Sequence, residues 1–583
     1  MDKMTGGEVV ALMLKAEGVE KVFGIIDGTY IGLYASFRKH GIELITPRHE
    51  SCAMHMAGAY ARLTGKLGVA IASNGPGVAN VLPGVAVENG EGNRVLLITS
   101  TRRPTISYPD RGGTYQYFNQ TGVIKPMSKW SGAVSSFARI PEFMKRAFRK
   151  SYQGRPGVVH VDIPENFFNN KDEIGALPAP QSYRRTAPIT PSAALVEAAA
   201  DLLANAALPL IHAGSGVTHA QAYEELQRVA ELLHAPVCTS WGGRGALPER
   251  HELALPMVYV DLNDRVRNEA DVLLAIGTRF GETDWWGKAP NWAQPPRQKL
   301  IQVDVDEEIL GQNKPAEIAI LSDAKVFLHE LAEALEARKG TMPLEDRRKA
   351  VSRFGEAMVK QRGKLDKSLK DLDDPMVTAH VAVACQEFFE DDAVFVSDGG
   401  NTTVWGMFFH QARTPNSMLS TPKFGMLGAG VAQALGAAVA RPDKQVYCII
   451  GDGAMGFNQQ ELETAVRNKL KVIYLVCCDK QWGMVKMTQQ FVFRPWKTVI
   501  KKSLDPGETI NADLEEIAFD KLAQSMGAHG ERVSKPDQLK PALERCVASG
   551  KPAVIHVDVD PVKHMWAPHL MTFKKMHQEP AGK

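Results

Sequence analysis

Short apolar runs recur along the chain, each closing on a glycine or a polar residue and each followed by a helix-spaced stripe. Gln445-Val-Tyr-Cys-Ile-Ile450 closes on Gly451-Asp452-Gly453, and Val472-Ile-Tyr-Leu-Val-Cys-Cys478 closes on Asp479. Between them, Asn458 with Glu461 three residues on predicts an N-cap and capping box. Leu462, Ala465 and Val466 continue as a helical stripe. The same grammar appears at Leu208–Ala213 before Gly214-Ser-Gly216, at Asp271–Ile276 before Gly277-Thr-Arg279, at Lys299–Asp304, and at Ala393–Val396. Near the start, Pro47-Arg-His-Glu50 follows an apolar run, with Ala53, Met56, Ala57 and Tyr60 at helical spacing. Strands alternating with helices predict α/β architecture with doubly wound parallel sheets.

Two linker-like stretches divide this pattern. Residues about 170–191 carry Pro178, Pro180, Pro188 and Pro191 among polar residues; about 336–374 is charged and helix-prone, with a break at Lys339-Gly340. The expected units are 1–170, 191–335 and 375–560, with a tail over 561–583. Gly154-Arg-Pro-Gly-Val-Val-His-Val-Asp162 recurs as Gly550-Lys-Pro-Ala-Val-Ile-His-Val-Asp558, near the ends of the first and third units. A duplicated α/β unit explains that echo economically.

A length of 583 residues agrees with three units. Hydrophobic content of 44% and charged content of 23% are those of a globular protein, and a net charge of +2 without long runs of one sign gives no reason to expect nucleic acid. No apolar run reaches the ~20 residues of a membrane span. The first residues lack the apolar core of a signal peptide. Seven cysteines without a CxxC pair are expected as buried thiols in a reducing cytoplasm, Cys477 and Cys478 on opposite faces of one strand.

The chemistry sits at strand ends. Asp452 and Asp479 fall at the C-terminal ends of two neighbouring parallel strands, where open α/β sheets bind ligands. Glycines beside Asp452 let backbone amides approach a phosphate, and hard oxygen ligands there suit Mg²⁺ on a diphosphate. Gly451-Asp452-Gly453 with a second oxygen ligand 27 residues after the aspartate resembles the thiamine diphosphate motif. The family usually has Asn-Asn at the far end, where this chain has Cys478-Asp479. The resemblance implies Asp452, Asp479 and the Gln481 carbonyl as metal ligands. It further places Gly400, Asn401 and Thr402 on the diphosphate, and Gly425 and Leu427 on the loop that props the cofactor into its bent shape. A plain βαβ unit with a surface aspartate is the bland alternative.

The N-terminal part agrees. His49-Glu50, Met56-Ala57-Gly58-Ala59-Tyr60-Ala61-Arg62 and Ser73-Asn74-Gly75-Pro76-Gly77-Val78-Ala79-Asn80 resemble the family's pyrimidine-binding domain. Glu50 then aligns with its catalytic glutamate, whose carboxyl drives the pyrimidine to the imino form that acts as base. Such a carboxyl is expected in an apolar pocket with a raised pKa. Gly75, Pro76, Gly77 and Asn80 complete that side. On position alone, Glu50 reads as a first-turn glutamate facing the helix dipole.

Overall the chain resembles acetolactate synthases and their neighbours, the 2-hydroxyacyl-CoA lyases and oxalyl-CoA decarboxylases. Gln116 aligns with the active-site glutamine of the first group, while Phe118-Asn-Gln120 fits the CoA branch. Thr488 stands where acetolactate synthases shape the 2-oxo acid pocket with tryptophan. Substrate-side candidates are Gly28, Tyr115, Phe118, Met484 and Thr488. In the central unit, Leu255-Pro-Met-Val-Tyr-Val-Asp261 departs from the family's flavin sequence, which argues against FAD and leaves ADP or no nucleotide. The tail's Lys563, His564, Lys574, Lys575, His577 and Lys583, interleaved with aromatic residues, either cover the mouth of the site and meet an anionic substrate such as a CoA ester, or pack on their own unit. Trp285, Trp286 and Trp292 line a pocket or a subunit contact. The resemblance implies a homodimer or homotetramer with sites between subunits, a small-molecule substrate, no nucleic acid and no membrane. The readings from other classes are a non-catalytic thiamine- or nucleotide-binding protein and a flavin oxidase.

Overall fold

The computed structural model describes residues 2–370, 376–568, 570 and 571. Three parallel sheets carry the chain. The first has strand order Glu43–Ile45, Lys21–Gly24, Gly68–Ala72, Val95–Thr101, Val158–Pro164, Trp130–Ala133. The third has order Met418–Leu419, Val394–Asp398, Val446–Gly451, Val472–Cys478, Ala553–Asp558, His529–Val533. The two orders are the same when the strands are matched in sequence, and the repeated segments end in Val158–Pro164 and Ala553–Asp558, fifth in each. The five-stranded central sheet runs Val237–Thr239, Pro209–Ala213, Val272–Ile276, Lys299–Asp304, Ile318–Leu321. Central strands are buried on both faces, which is why they read as continuous apolar runs.

The proline-rich stretch after residue 170 is partly structured. Its Lys171–Ile174 strand pairs antiparallel with Asp2–Thr5 and ties down the chain's start. The charged stretch becomes the 27-residue helix Leu344–Lys370, anchored by buried Arg347, whose guanidinium donates to the carbonyls of Leu203, Ala204, Ala206 and Leu233.

The first and third units share one core. Helix Glu50–Thr64 is buried almost all round and crosses helix Ala429–Ala440 so closely that a Cβ on Gly436 would lie 2.5 Å from the Met56 carbonyl oxygen. Only glycine permits that approach. The expected capping box at Asn458 does not form. Asn458 ends the helix Asp452–Asn458 and its amide donates to the Gly428 carbonyl. Glu461 instead reaches the first unit, where both its oxygens accept the Arg48 N–H at 3.0 and 3.1 Å. A partly buried backbone donor of the first unit takes that carboxylate in place of a local cap.

The tryptophan cluster is internal. Trp292 is fully buried, donates its indole N–H to the Asp284 carbonyl, and packs on His212, Phe280 and the Arg267 guanidinium. All seven cysteines are free and buried. Among the described residues, no helix is long and apolar enough to cross a membrane.

Candidate active site

Strands Val446–Gly451 and Val472–Cys478 are parallel neighbours, with Gly451 beside Cys477. Their ends deliver Asp452 and Asp479 to one place. Asp452 stitches the two turns: its Oδ1 accepts the Gly453 N–H at 2.7 Å and its Oδ2 the Lys480 N–H at 2.8 Å. Burial raises the Asp452 carboxyl above its ordinary range, and burial together with the neighbouring Asp452 pushes Asp479 well above it. Two carboxylates brought together at neighbouring strand ends suit a cation between them.

The Gln481 side chain donates to Asp479 Oδ2 at 3.2 Å and to the Pro561 carbonyl at 2.7 Å. Pairing with residues 512–514 uses the Lys480 carbonyl and the Trp482 N–H. Among the described residues, no three His, Cys, Asp or Glu side chains converge. Two carboxylates and a backbone carbonyl are therefore the oxygen donors this place offers a metal, a set suited to Mg²⁺.

Strand Val394–Asp398 brings in the neighbouring loop. Asp398 accepts the N–H groups of Gly399 and Gly430 at 2.6 and 2.8 Å, joining the loop at Gly400–Thr402 to the one at Gly425–Gly430. Both polar atoms of the Asn401 side chain are buried with no hydrogen-bond partner. A Cβ on Gly483 would meet Asn401 Nδ2 at 2.7 Å and Asp479 Oδ2 at 3.2 Å, so these two side chains converge. An orphaned amide beside two carboxylates and glycine-rich loops fits a diphosphate held with its metal.

Of the two readings of the tail, His564 follows the second: it packs on its own unit, behind the site. It is 1% exposed, within hydrogen-bonding distance of Thr378 and Thr402, and 3.9 Å from Asp479. Burial lowers its pKa to about 3, so it is neutral and offers no charge to an anionic substrate. Its position beneath Thr402 follows from chain return after the last strand, which sequence spacing does not reveal. Lys574, Lys575, His577 and Lys583 lie outside the described residues.

A cavity of about 280 Å³ opens between these loops, walled by Gly400, Gly425, Leu427 and Met484 on one side and by Trp241, Met407 and Phe408 on the other. Leu427 also packs against the core shared by the first and third units.

The Glu50 group forms a second cluster. Glu50 starts the helix Glu50–Thr64, is 8% exposed, and its Oε2 accepts the Asn80 amide at 3.1 Å. Gly75 has φ +64, and the close neighbour it admits is Gln116, whose carbonyl oxygen would lie 2.7 Å from a Cβ there. Gln116 is itself left-handed, with φ 52, and its carbonyl accepts the Asn74 amide. Gly77 lies beside Glu50, whose Oε1 would be 3.4 Å from a Cβ there, and Ser73 Oγ, at 2.5 Å, is the atom that leaves no room for one. Pro76 opens the helix that carries Asn80.

Sequence reading missed what Gln120 does here. It is buried, accepts the Gly75 N–H, and donates to the Ser100 carbonyl and Asp162. The signal was its place in the Phe118-Asn-Gln120 spacing, which had suggested a CoA contact; its amide is committed to backbone and to Asp162.

The substrate-side candidates are scattered. Met484 lines the cavity. Tyr115 is 73% exposed, Phe118 packs on the core, and Thr488 Oγ1 donates to the Met484 carbonyl. Gly28 is exposed, with open space where a Cβ would be. No hydrogen bond or ion pair among the described residues joins the Glu50 cluster to the Asp452 cluster.

The central unit holds two adjoining clefts, of about 220 and 270 Å³, sharing Gly216, His219, Gly277 and Asp304. The glycine turns there are needed for each other: a Cβ on Gly214 would lie 2.1 Å from the Gly277 carbonyl oxygen, and one on Gly216 2.5 Å from the Gly277 Cα. Leu255, Met257, Val258 and Tyr259 are buried, and none lines either cleft.

Three family models match the chain: the thiamine pyrophosphate enzyme N-terminal TPP binding domain over residues 4–123, the central domain over 196–331, and the C-terminal TPP binding domain over 398–557. A probable acetolactate synthase large subunit of Methanocaldococcus jannaschii is 30% identical, covering 96% of this chain and 93% of its own length. The acetolactate synthase isozyme 3 large subunit of Escherichia coli is 27% identical, covering 97% and 96%. A probable acetolactate synthase of Mycobacterium bovis is 28% identical, covering 96% of each.

Proposed function

This chain belongs to the thiamine pyrophosphate enzymes, in the acetolactate synthase-like family, and from that premise we propose a carboligase that joins 2-oxo acids using thiamine diphosphate and Mg²⁺. The observation that carries the reading is the geometry of the Asp452–Asp479 pair, two carboxylates at the ends of adjacent parallel strands beside the orphaned Asn401 amide.

Bound thiamine diphosphate would supply the carbon nucleophile and the electron sink for bond making beside a carbonyl. The chain's residues position and protonate. Asp452, Asp479 and the Gln481 carbonyl would hold the metal. Gly400, Asn401, Thr402, Gly451 and Gly453 would receive the diphosphate, and Gly425 and Leu427 line the cavity. Glu50 would hold a proton for the pyrimidine ring, with Asn80 fixing one of its oxygens. Gln116 stands beside Gly75 as a further candidate at the reacting end.

The resemblance to the family supports a homo-oligomer whose sites pair the first unit of one copy with the third of another. ADP or no nucleotide is the reading for the central cleft, since Leu255, Met257, Val258 and Tyr259, from the segment expected to meet a flavin, line neither cleft.

A turnover screen tests the reading. Purified protein with thiamine diphosphate and Mg²⁺ is offered pyruvate or a short 2-hydroxyacyl-CoA, and acetolactate, CO₂, aldehyde and formyl-CoA are measured. Acetolactate from pyruvate is expected. Formyl-CoA from the thioester, with pyruvate untouched, would move the assignment to the CoA branch.

A further inference from the structure

The cavity beside the candidate cofactor loops is walled mainly by apolar and neutral groups. Two charged residues line it, Asp398 and Lys423. Asp398 is committed, its oxygens accepting backbone N–H groups from both flanking loops. Lys423 is the one cation among the lining residues.

Its loop is held from behind. Glu91, at the end of helix Pro76–Glu91, accepts the N–H groups of Lys423 and Phe424 with one oxygen, at 2.9 and 3.0 Å. This anchors the backbone of a lysine that lines both the cavity and the central cleft. Its ammonium lies 3.8 Å from where a Cβ on Gly242 would be. The residue is exposed overall, while its ammonium is crowded by protein groups, Arg155, Arg279 and Arg62 among them.

We propose that Lys423 is the carboxylate-recognition residue for the substrate. The proposal rests on the carboligase reading, in which substrate and product are both carboxylates. A 2-oxo acid entering an apolar cavity must leave its carboxylate against a cation or lose hydration without compensation. Lys423 is the lining group that can meet it.

The electrostatics agree. Lys423 is pushed down to about 8 by burial and by the nearby Arg155, Arg279 and Arg62, with Glu91 opposing. Its charge is also felt by His219 and Asp284 on the central unit. A bound carboxylate would relieve the repulsion among these cations. Arg155 is already occupied by the Asn89 and Gly90 carbonyls.

The test is binding of oxamate, an unreactive pyruvate isostere, to the thiamine diphosphate- and Mg²⁺-loaded protein by calorimetry, in the parent, Lys423→Met and Lys423→Arg. Lys423→Met is expected to weaken oxamate about ten- to hundredfold, with thiamine diphosphate affinity unchanged and any pyruvate turnover showing the loss in KM. Lys423→Arg should retain most of the affinity. As pH rises through about 8, parent affinity should fall while that of Lys423→Arg holds. Oxamate bound equally by parent and Lys423→Met, or not bound by the parent, overturns the proposal. So does a Lys423→Met that loses ADP binding alone, which would assign the lysine to a nucleotide phosphate. Loss of oxamate binding in Lys423→Met without acetolactate formation by the parent would sink the carboligase reading and leave carboxylate recognition standing.

Discussion

Gln120 holds the turn at Gly75: its Oε1 accepts the Gly75 N–H at 2.9 Å while its amide donates to the Ser100 carbonyl and to Asp162 Oδ1, each at 2.9 Å. The turn matters because it starts the helix that carries Gly77 and Asn80 against Glu50. Gln120→Ala leaves two buried backbone groups unpaired, each costing ~1–3 kcal/mol. The expected result is a lowered melting temperature and weaker thiamine diphosphate binding, with Gln120→Glu intermediate. Cofactor titration and thermal unfolding on the same preparations check it.

Glu50→Gln keeps the shape and the Asn80 contact but cannot exchange a proton. Turnover should fall ~10²–10⁴-fold, with cofactor affinity within a fewfold of the parent. Full turnover in this variant would remove Glu50 from the proposed mechanism.

Asp479→Asn should keep Mg²⁺-dependent cofactor binding, since an amide oxygen can ligate and the repulsion with Asp452 disappears. Asp479→Ala should lose it. In the parent, the metal must displace a proton from a carboxyl held above its ordinary range. Mg²⁺ affinity should therefore rise with pH, and rise less in Asp479→Asn. Calorimetry at two pH values reads both effects.

Asp162 is buried among Thr99 and Gln120, and burial raises its carboxyl to about 7. The folded state thus binds a proton that the unfolded chain releases near ~3.9. This contribution to stability is present at low pH and declines as pH climbs from about 4 to about 7. Asp162→Asn removes the titration while keeping an acceptor for Thr99 and Gln120. Its melting temperature relative to the parent should be higher at pH 8.5 than at pH 5; an offset that does not change with pH would refute the assignment.

Much of the candidate site was legible because its residues sit at strand ends. An apolar run, a glycine turn and a carboxylate are consecutive in the chain, so Gly451-Asp452-Gly453, Asp479 and Glu50 declare themselves locally. The echo between Val158–Pro164 and Ala553–Asp558 likewise forecast two sheets with the same strand order. The capping box at Asn458 failed for the complementary reason. A local rule proposed Glu461 as its partner, and a donor more than four hundred residues away, the Arg48 N–H, took that carboxylate.

The sequence by itself determined the α/β class, the three-unit plan and the carboxylates and glycine turns proposed for the cofactor side, because each depends on neighbours in the chain. Only the tertiary structure decided that Gln120 braces Gly75, that His564 is a neutral group behind Asp479, and that Lys423 lines the cavity. Those relationships depend on which distant groups share a buried volume. There desolvation sets the charge of each residue and leaves its polar atoms only the partners that packing supplies.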